Sequence, residues 1–233
     1  MQLRAENLSK QFYRKRQDSN YFFPVKEVSL VVEEGKITVL HGASGGGKST
    51  LLNMLAGILE PEEGQVFLGE DNLYQMEDKD LAHYRNQHIG VIPQGQTAVQ
   101  SLTVLENVLL PVTLYGVGKK NRQEVKEARE YGKILLDRMG IGDLEKILPS
   151  ELSGGEMRRM AIARALIKNP DVVLADEPTA DLDEENTRIV LEELKKAAKE
   201  GCGVLLVTHD RDAMGYADIS YRMKDGEIQK EEE

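Results

Sequence analysis

Val28 to Val32 moves from alternating to continuous apolar character, Glu33-Glu34-Gly35 breaks the run, and Ile37-Thr38-Val39-Leu40 resumes it. This pattern predicts two strands joined by a tight turn. After Lys48 the period changes: Leu51, Leu52, Met54, Leu55 and Ile58 keep helical spacing, with stop signals at Gly57 and Pro61. Val66-Phe67-Leu68 and Ile89-Gly90-Val91-Ile92 read as short strands, and Asp78 to Gln87 as a helix between them.

From Gln94 to Pro149 the pattern is mainly helical. Val104 to Leu110 is apolar, Gly116 to Lys120 is a polar turn, and Val125, Ala128, Leu135 and Met139 fall on one helical face before Gly140 and Gly142. Strand Val172 to Ala175, helix Glu184 to Glu200 and strand Val204 to Val207 then alternate as a parallel sheet does. Asp225-Gly226 signals a closing hairpin between Tyr221-Arg222-Met223 and Glu227-Ile228. The expectation is an α/β fold, a core of residues 1–93 and 150–233 with a helical subdomain, 94–149, inserted in it.

Composition narrows the function classes. At 233 residues with 40% hydrophobic and 30% charged positions, the chain can bury a sizeable core. A net charge of −10 argues against broad nucleic-acid binding, which needs a basic stripe. It leaves room for a nucleotide, whose phosphates one local loop can hold. Cys202 is the only cysteine, which fits a reducing compartment, and it reads as a small buried residue at the start of a strand. The first residues, Met1 to Glu6, lack the apolar stretch of a signal peptide, and no segment approaches the ~18–20 apolar residues of a membrane span. Any membrane work is therefore expected from another polypeptide.

Gly42-Ala43-Ser44-Gly45-Gly46-Gly47-Lys48-Ser49 fits G-x-x-x-x-G-K-[ST] between a strand and a helix, the context that pattern requires. Its glycines let the backbone approach phosphates closely with N–H groups turned inward. Lys48 would reach the β- and γ-phosphates, and Ser49 would offer its hydroxyl to Mg²⁺. Asp176 closes the apolar run Val172 to Ala175, where α/β sheets place ligands, and its carboxylate suits Mg²⁺. Glu177, pointing differently, can act on the attacking water. His209 follows Thr208 at the equivalent end of a neighbouring strand, a position from which it can touch a γ-phosphate and Glu177. Gln94, beyond Ile89 to Ile92, is a third such position, suited to Mg²⁺ and the water. His41, His83 and His88 have no such company and read as structural.

Leu152-Ser153-Gly154-Gly155-Glu156 opens a helix that continues through Ala161, Ile162, Ala165 and Leu166, with Ser153 as its cap. A helix start without side-chain bulk presents N–H groups and a positive dipole end to an anion.

Together these segments resemble the ATP-binding-cassette (ABC) ATPases across essentially the whole chain. Gly42–Thr50 resembles that family's Walker A, Gln94 its Q-loop, Leu152–Glu156 its signature, and Val172–Glu177 its Walker B. Ala180-Asp181-Leu182-Asp183 is similar to its D-loop, and His209 to its switch histidine. Phe12, with Tyr13 beside it, stands where the family stacks an aromatic on adenine. The resemblance implies a P-loop core with a mixed or parallel sheet, an N-terminal antiparallel β part and the helical subdomain. It implies two ATPs between two copies of the chain. Each site takes Lys48, Ser49, Gln94, Asp176, Glu177 and His209 from one copy and Ser153, Gly154 and Gly155 from the other, and Asp181 crosses the interface. An integral membrane permease would be the third partner, with the cassette on the cytoplasmic face of the membrane.

The wording of Gly42-Ala43-Ser44-Gly45, of Leu105 to Pro111 and of Ala175 to Thr179 is most similar to ATPases of lipoprotein release, macrolide export and antimicrobial-peptide resistance. Pro93 replaces the usual aromatic before Gln94, Gly95–Ser101 departs from the usual wording, and Arg14–Pro24 is enlarged. An exporter or extractor is the first expectation. A cassette that drives signalling or envelope remodelling without transport is the alternative, and a soluble cassette of DNA repair or translation is a third.

Overall fold

The computed structural model describes residues 1–13, 21–95, 97–114 and 122–231. The polar turn at 116–120, Gln96, most of the enlargement at 14–24 and the last two glutamates lie outside them.

Two sheets carry the fold. β1 (Leu3–Tyr13), β2 (Tyr21–Val32), β4 (Glu63–Leu68) and β5 (Asp71–Asn72) form an antiparallel sheet in the order β2-β1-β4-β5. β3 (Ile37–Gly42), β6 (Ile89–Ile92), β7 (Val172–Asp176), β8 (Gly203–Val207), β9 (Ile219–Lys224) and β10 (Glu227–Lys230) form the second, ordered β10-β9-β3-β8-β7-β6. It is parallel except for the final hairpin, whose turn residues Asp225 and Gly226 both have positive φ, as a two-residue turn of that type requires. The turn at Glu33-Glu34-Gly35 therefore does not make a hairpin: β2 and β3 belong to different sheets.

The continuous apolar runs of β7 and β8 follow from burial on both faces. Val173, Ala175, Val204 and Leu206 point into one core, with Ile37, Val39 and Ile92. Val172, Leu174, Leu205 and Val207 alternate into the other, with Leu40 and Ile89. A strand covered on one side only would have needed polar residues at every second position.

The first core is closed by α3 (Val104–Thr113), α4 (Arg122–Arg138), α5 (Gly154–Leu166) and α6 (Glu184–Lys199). The second is closed by α1 (Lys48–Leu55), α2 (Asp78–His88) and the antiparallel sheet. A short α7 (Arg211–Met214) precedes β9. α5 packs on both α3 and α4, so the helices on that side form one layer. Two starts are strongly specified. Thr103 and Glu106 make a reciprocal capping box for α3, and Ser153 and Glu156 do the same for α5. No described helix is long and apolar enough to cross a membrane.

Candidate active site

Four adjacent parallel strands, β3-β8-β7-β6, deliver their C-terminal ends to one edge of the sheet. β3 runs into the Gly42–Ser49 loop, β8 leads to His209, β7 ends at Asp176, and β6 leads to Gln94. Asp176 pairs in register with Val207, and Ala175 with Ile92, so these side chains meet at one level. The cleft there, of about 680 Å³, is lined by Gly42, Ser44, Gly45, Gly47, Lys48, Ser49, Thr50, Gln94, Asp176, Glu177 and His209. Phe12 lines it as well.

The loop's geometry depends on its glycines at two points. Gly47 has φ 100°, and a Cβ there would lie 1.7 Å from the Pro24 carbonyl oxygen; Gly42 has φ 148°, and a Cβ would lie 2.2 Å from that of Met223. No L side chain fits either place. Gly46 donates its N–H to the Ala43 carbonyl at 3.2 Å, closing the turn. Lys48 is buried, and its Nζ donates to the Gly42 and Ala43 carbonyls at 2.9 and 3.0 Å. The ammonium is thus held over the loop, in the lining of the cleft.

Asp176 is buried, and burial is the largest cause of a carboxyl pKa above the ordinary value. A hydrogen bond with Ser49 and the charges of Lys48 and Arg158 oppose that rise, while the charge of Glu177 adds to it. Glu177 has φ 51°, and its N–H donates to the Val207 carbonyl at 2.8 Å. Its Oε1 lies 2.9 Å from His209 Nδ1, and this bond raises the histidine pKa. Thr179 Oγ1 donates to Asp210 Oδ2 at 2.8 Å, tying the turn after Glu177 to the loop carrying His209. Asp181, with φ 62°, stands just outside the cleft beside His209 and Asp210.

A hard divalent cation fits this donor set. The hydroxyl of Ser49 and the buried carboxylate of Asp176 already touch, and both are oxygen donors with Gln94 nearby. Mg²⁺, which keeps waters and shares substrate phosphates, needs no more protein ligands than these.

Ser153, Gly154 and Gly155 are not among the residues lining the cleft. Ser153 and Gly154 are exposed, and a Cβ built on Gly154 meets nothing within 4 Å. Nothing described in the chain itself therefore requires a glycine at 154. At Gly155 a Cβ would come to 3.1 Å from Leu182, so the helix start rests against the segment containing Asp181.

The site also contains residues that no sequence motif marks. Phe22, across the strand pair from Phe12, shares the cleft wall with a ring separation of 5.9 Å, and Pro24 lies beside it. Tyr13 is not in that wall; it packs on Tyr21. The cross-strand partners follow only from pairing β1 with β2, and the sequence of β1 lacks a regular alternation that would mark it as a strand. Arg158 reaches the Pro93 carbonyl next to Gln94, with no motif to mark it.

Residues 25–180 match the ABC transporter family. The chain belongs to that family. As an ABC cassette it is 39% identical to the lipoprotein-releasing system ATP-binding protein LolD of Aquifex aeolicus, over 97% of this chain and 95% of that protein. It is 37% identical to the macrolide export ATP-binding/permease protein MacB of a Shewanella strain, over 89% of this chain but 31% of that longer protein. Its fold superimposes with a TM-score of 0.89 and 31% identity on an ATP-binding cassette solved as a dimer in a post-hydrolysis state with ADP and Pi, covering 99% and 98% of the two chains. The expected fold, an α/β cassette with an N-terminal antiparallel part, is the observed one.

Proposed function

We propose that this cassette binds and hydrolyses ATP as one half of a head-to-tail pair and drives an integral membrane permease that exports or extracts its substrate. The observation that carries the paired site is the position of Ser153-Gly154-Gly155: a bare, capped helix start, exposed and outside the cleft. Such a start suits an anion brought by another molecule. The dimeric state of the similar cassette, solved with ADP and Pi, supports the same reading. The names of the relatives, one a lipoprotein-releasing subunit and one a macrolide exporter, support outward transport or extraction. The permease partner would hold the cassette at the cytoplasmic face of the membrane, and the net charge of −10 leaves nucleic acid outside its partners.

In this reading Phe12 stacks on adenine. The backbone of Gly42, Ser44, Gly45, Gly46 and Gly47, with Thr50 and the Lys48 ammonium, cradles the phosphates. Ser49, Asp176 and Gln94 would hold Mg²⁺, which when bound would neutralise charge between the β- and γ-phosphates. Glu177 orients the attacking water and takes its proton as the bond from the γ-phosphorus to ADP breaks. His209 orients Glu177 and contacts the γ-phosphate. The second copy brings Ser153, Gly154 and Gly155, and Asp181 lies between the copies. Phosphoryl transfer depends on positioning and charge neutralisation, so a site completed by the partner ties hydrolysis to closure. The helical subdomain, 94–149, then passes the movement to the permease through the segment at Gln94.

Glu177→Gln tests the pairing. It should leave ATP bound and hydrolysis blocked, giving a dimer by light scattering in saturating Mg²⁺-ATP. A monomer under those conditions rejects the paired site. Transport is tested by purifying the permease with the cassette and following substrate movement in vesicles; ATP hydrolysis without movement would favour a remodelling role.

A further inference from the structure

Gln94 stands between two residues of opposite character. Pro93 has a fixed φ and no N–H, so its carbonyl is its only backbone hydrogen-bonding group. Gly95 has φ 99°, in the left-handed region that favours glycine. The Pro93 carbonyl accepts from Arg158 Nη1 at 3.2 Å. On the far side of Gln94, the Thr97 carbonyl accepts from Arg164 Nη1 at 2.6 Å. Both arginines are on α5, the helix that begins at Ser153-Gly154. One helix therefore grips the chain before and after Gln94.

The remainder of that segment is pinned from the other direction. Asn107, fully buried in α3, donates to the Val99, Leu102 and Thr103 carbonyls at 3.0 Å each and accepts from the Val99 N–H at 2.8 Å. The loop thus has fixed points at Pro93, Thr97, Val99 and Leu102. The grip at Pro93 is the one next to Gln94, and Gln94 lines the cleft.

We propose that Arg158 is a positioning residue that links Gln94 to the helix start at Ser153, so that the ATP in a chain's own site and the ATP that its Ser153 meets on the partner are sensed together. The link rests on the paired-site reading above. A direct hydrogen bond from α5 to the peptide beside Gln94 makes a shift of either one displace the other. Because Gln94 and Ser153 of one chain serve different nucleotides, this link carries information between the two sites. Arg158 touches neither nucleotide in this scheme; its hydrogen bond acts through Pro93 and Gln94, and its charge, which also reaches Asp176, is retained in Arg158→Lys.

The experiment compares the full chain with its Arg158→Met and Arg158→Lys forms, measuring hydrolysis across ATP concentrations and Mg²⁺-ATP affinity of the monomer. The unmodified chain should hydrolyse cooperatively, with a Hill coefficient that rises above 1 toward the two-site ceiling of about 2. Arg158→Met should bring the coefficient to about 1 and lower kcat roughly tenfold, the scale of one positioning hydrogen bond. Its monomer affinity should stay within about twofold, and Arg158→Lys, which keeps a charged donor, should recover most of the cooperativity. Non-cooperative hydrolysis by the unmodified chain, an unchanged coefficient in Arg158→Met, or a collapse of its monomer affinity would each overturn the link. The Glu177→Gln dimer is measured alongside. If it fails to form, the paired site is wrong; if it forms while cooperativity ignores Arg158, only the link is wrong.

Discussion

His209 and Glu177 are joined by a 2.9 Å hydrogen bond across the ends of two neighbouring strands, with 78% of the histidine side chain exposed and only 12% of the glutamate's. The glutamate is fixed by its backbone: its N–H is bound to Val207 and its φ is positive. The histidine is the exposed member, at the wall of the cleft.

This pair gives a signed pH dependence. The hydrogen bond to Glu177, and then its charge, favour the imidazolium and raise the His209 pKa above the ordinary 6.5. A raised folded pKa contributes stability that is complete below the unfolded value and is lost as pH rises through the folded one. NMR titration of the His209 ring should therefore show a midpoint above 6.5 in the nucleotide-free protein. Glu177→Gln should bring it back toward 6.5; a midpoint that does not move would show that Glu177 is not its cause.

The two kinds of glycine in the site should respond oppositely to alanine. Gly47→Ala drives a Cβ into the Pro24 carbonyl at a positive φ, so the fold should lose about 2–4 kcal/mol in denaturant unfolding. Gly154→Ala meets nothing within the chain and should change stability by no more than about 0.5 kcal/mol. It should still cut hydrolysis by roughly 10²-fold, because the added methyl would hold a partner's phosphate off the helix-start N–H groups, an effect on the scale of a lost anion-stabilising donor. Normal turnover in Gly154→Ala would remove the case for a partner's phosphate at that helix start.

The phosphate loop, the acidic strand end and the capped helix start were legible because each depends on local residue types at fixed spacing. What stayed hidden depends on pairing across the fold. β1 escaped because its inward residues change phase: Leu3 and Ala5 alternate, then a register shift brings Leu8 in, with Asn7 at φ 51°. A bulge of that kind erases the period-two signal that marks a strand. Without that signal nothing in the sequence sets Phe22 beside Phe12. Arg158 and Arg164 look from the sequence like ordinary helix charges, and only the fold, which sets Pro93 and Thr97 against α5, gives them partners.

Asn107 was legible only as part of a resemblance, yet it is the buried hub of the 99–103 turn. Asn107→Leu keeps the approximate volume and strands the Val99 N–H and the Leu102 carbonyl, while the Val99 and Thr103 carbonyls keep the N–H groups of Leu102 and Asn107. Unsatisfied buried groups cost about 1–3 kcal/mol each, reduced where the turn relaxes toward water, so a loss of about 2–4 kcal/mol is expected. The urea midpoint should fall with an unchanged slope. A loss below about 1 kcal/mol would mean that the turn is held by the capping box at Thr103 and the Arg164 contact instead.

The wall formed by Phe12 and Phe22 sets the last expectation. Their rings lie 5.9 Å apart at a tilt of 32°, both in the wall of the cleft that holds the phosphate loop, and Lys10 Nζ stands over the Phe12 ring, 5.9 Å from its centroid. Stacking of a base on an aromatic is worth about 1–3 kcal/mol. Phe12→Ala should therefore weaken Mg²⁺-ATP binding by roughly 10- to 100-fold, while inorganic pyrophosphate, which has no base, binds as before. Tyr13→Ala should leave both affinities alone, since Tyr13 packs on Tyr21 and not in the cleft. Because stacking tolerates any purine face, GTP should lose as much as ATP in Phe12→Ala. Calorimetric titration of the three ligands against the two variants separates the roles: equal losses for pyrophosphate and ATP would place the effect of Phe12 in the shape of the loop rather than under the base.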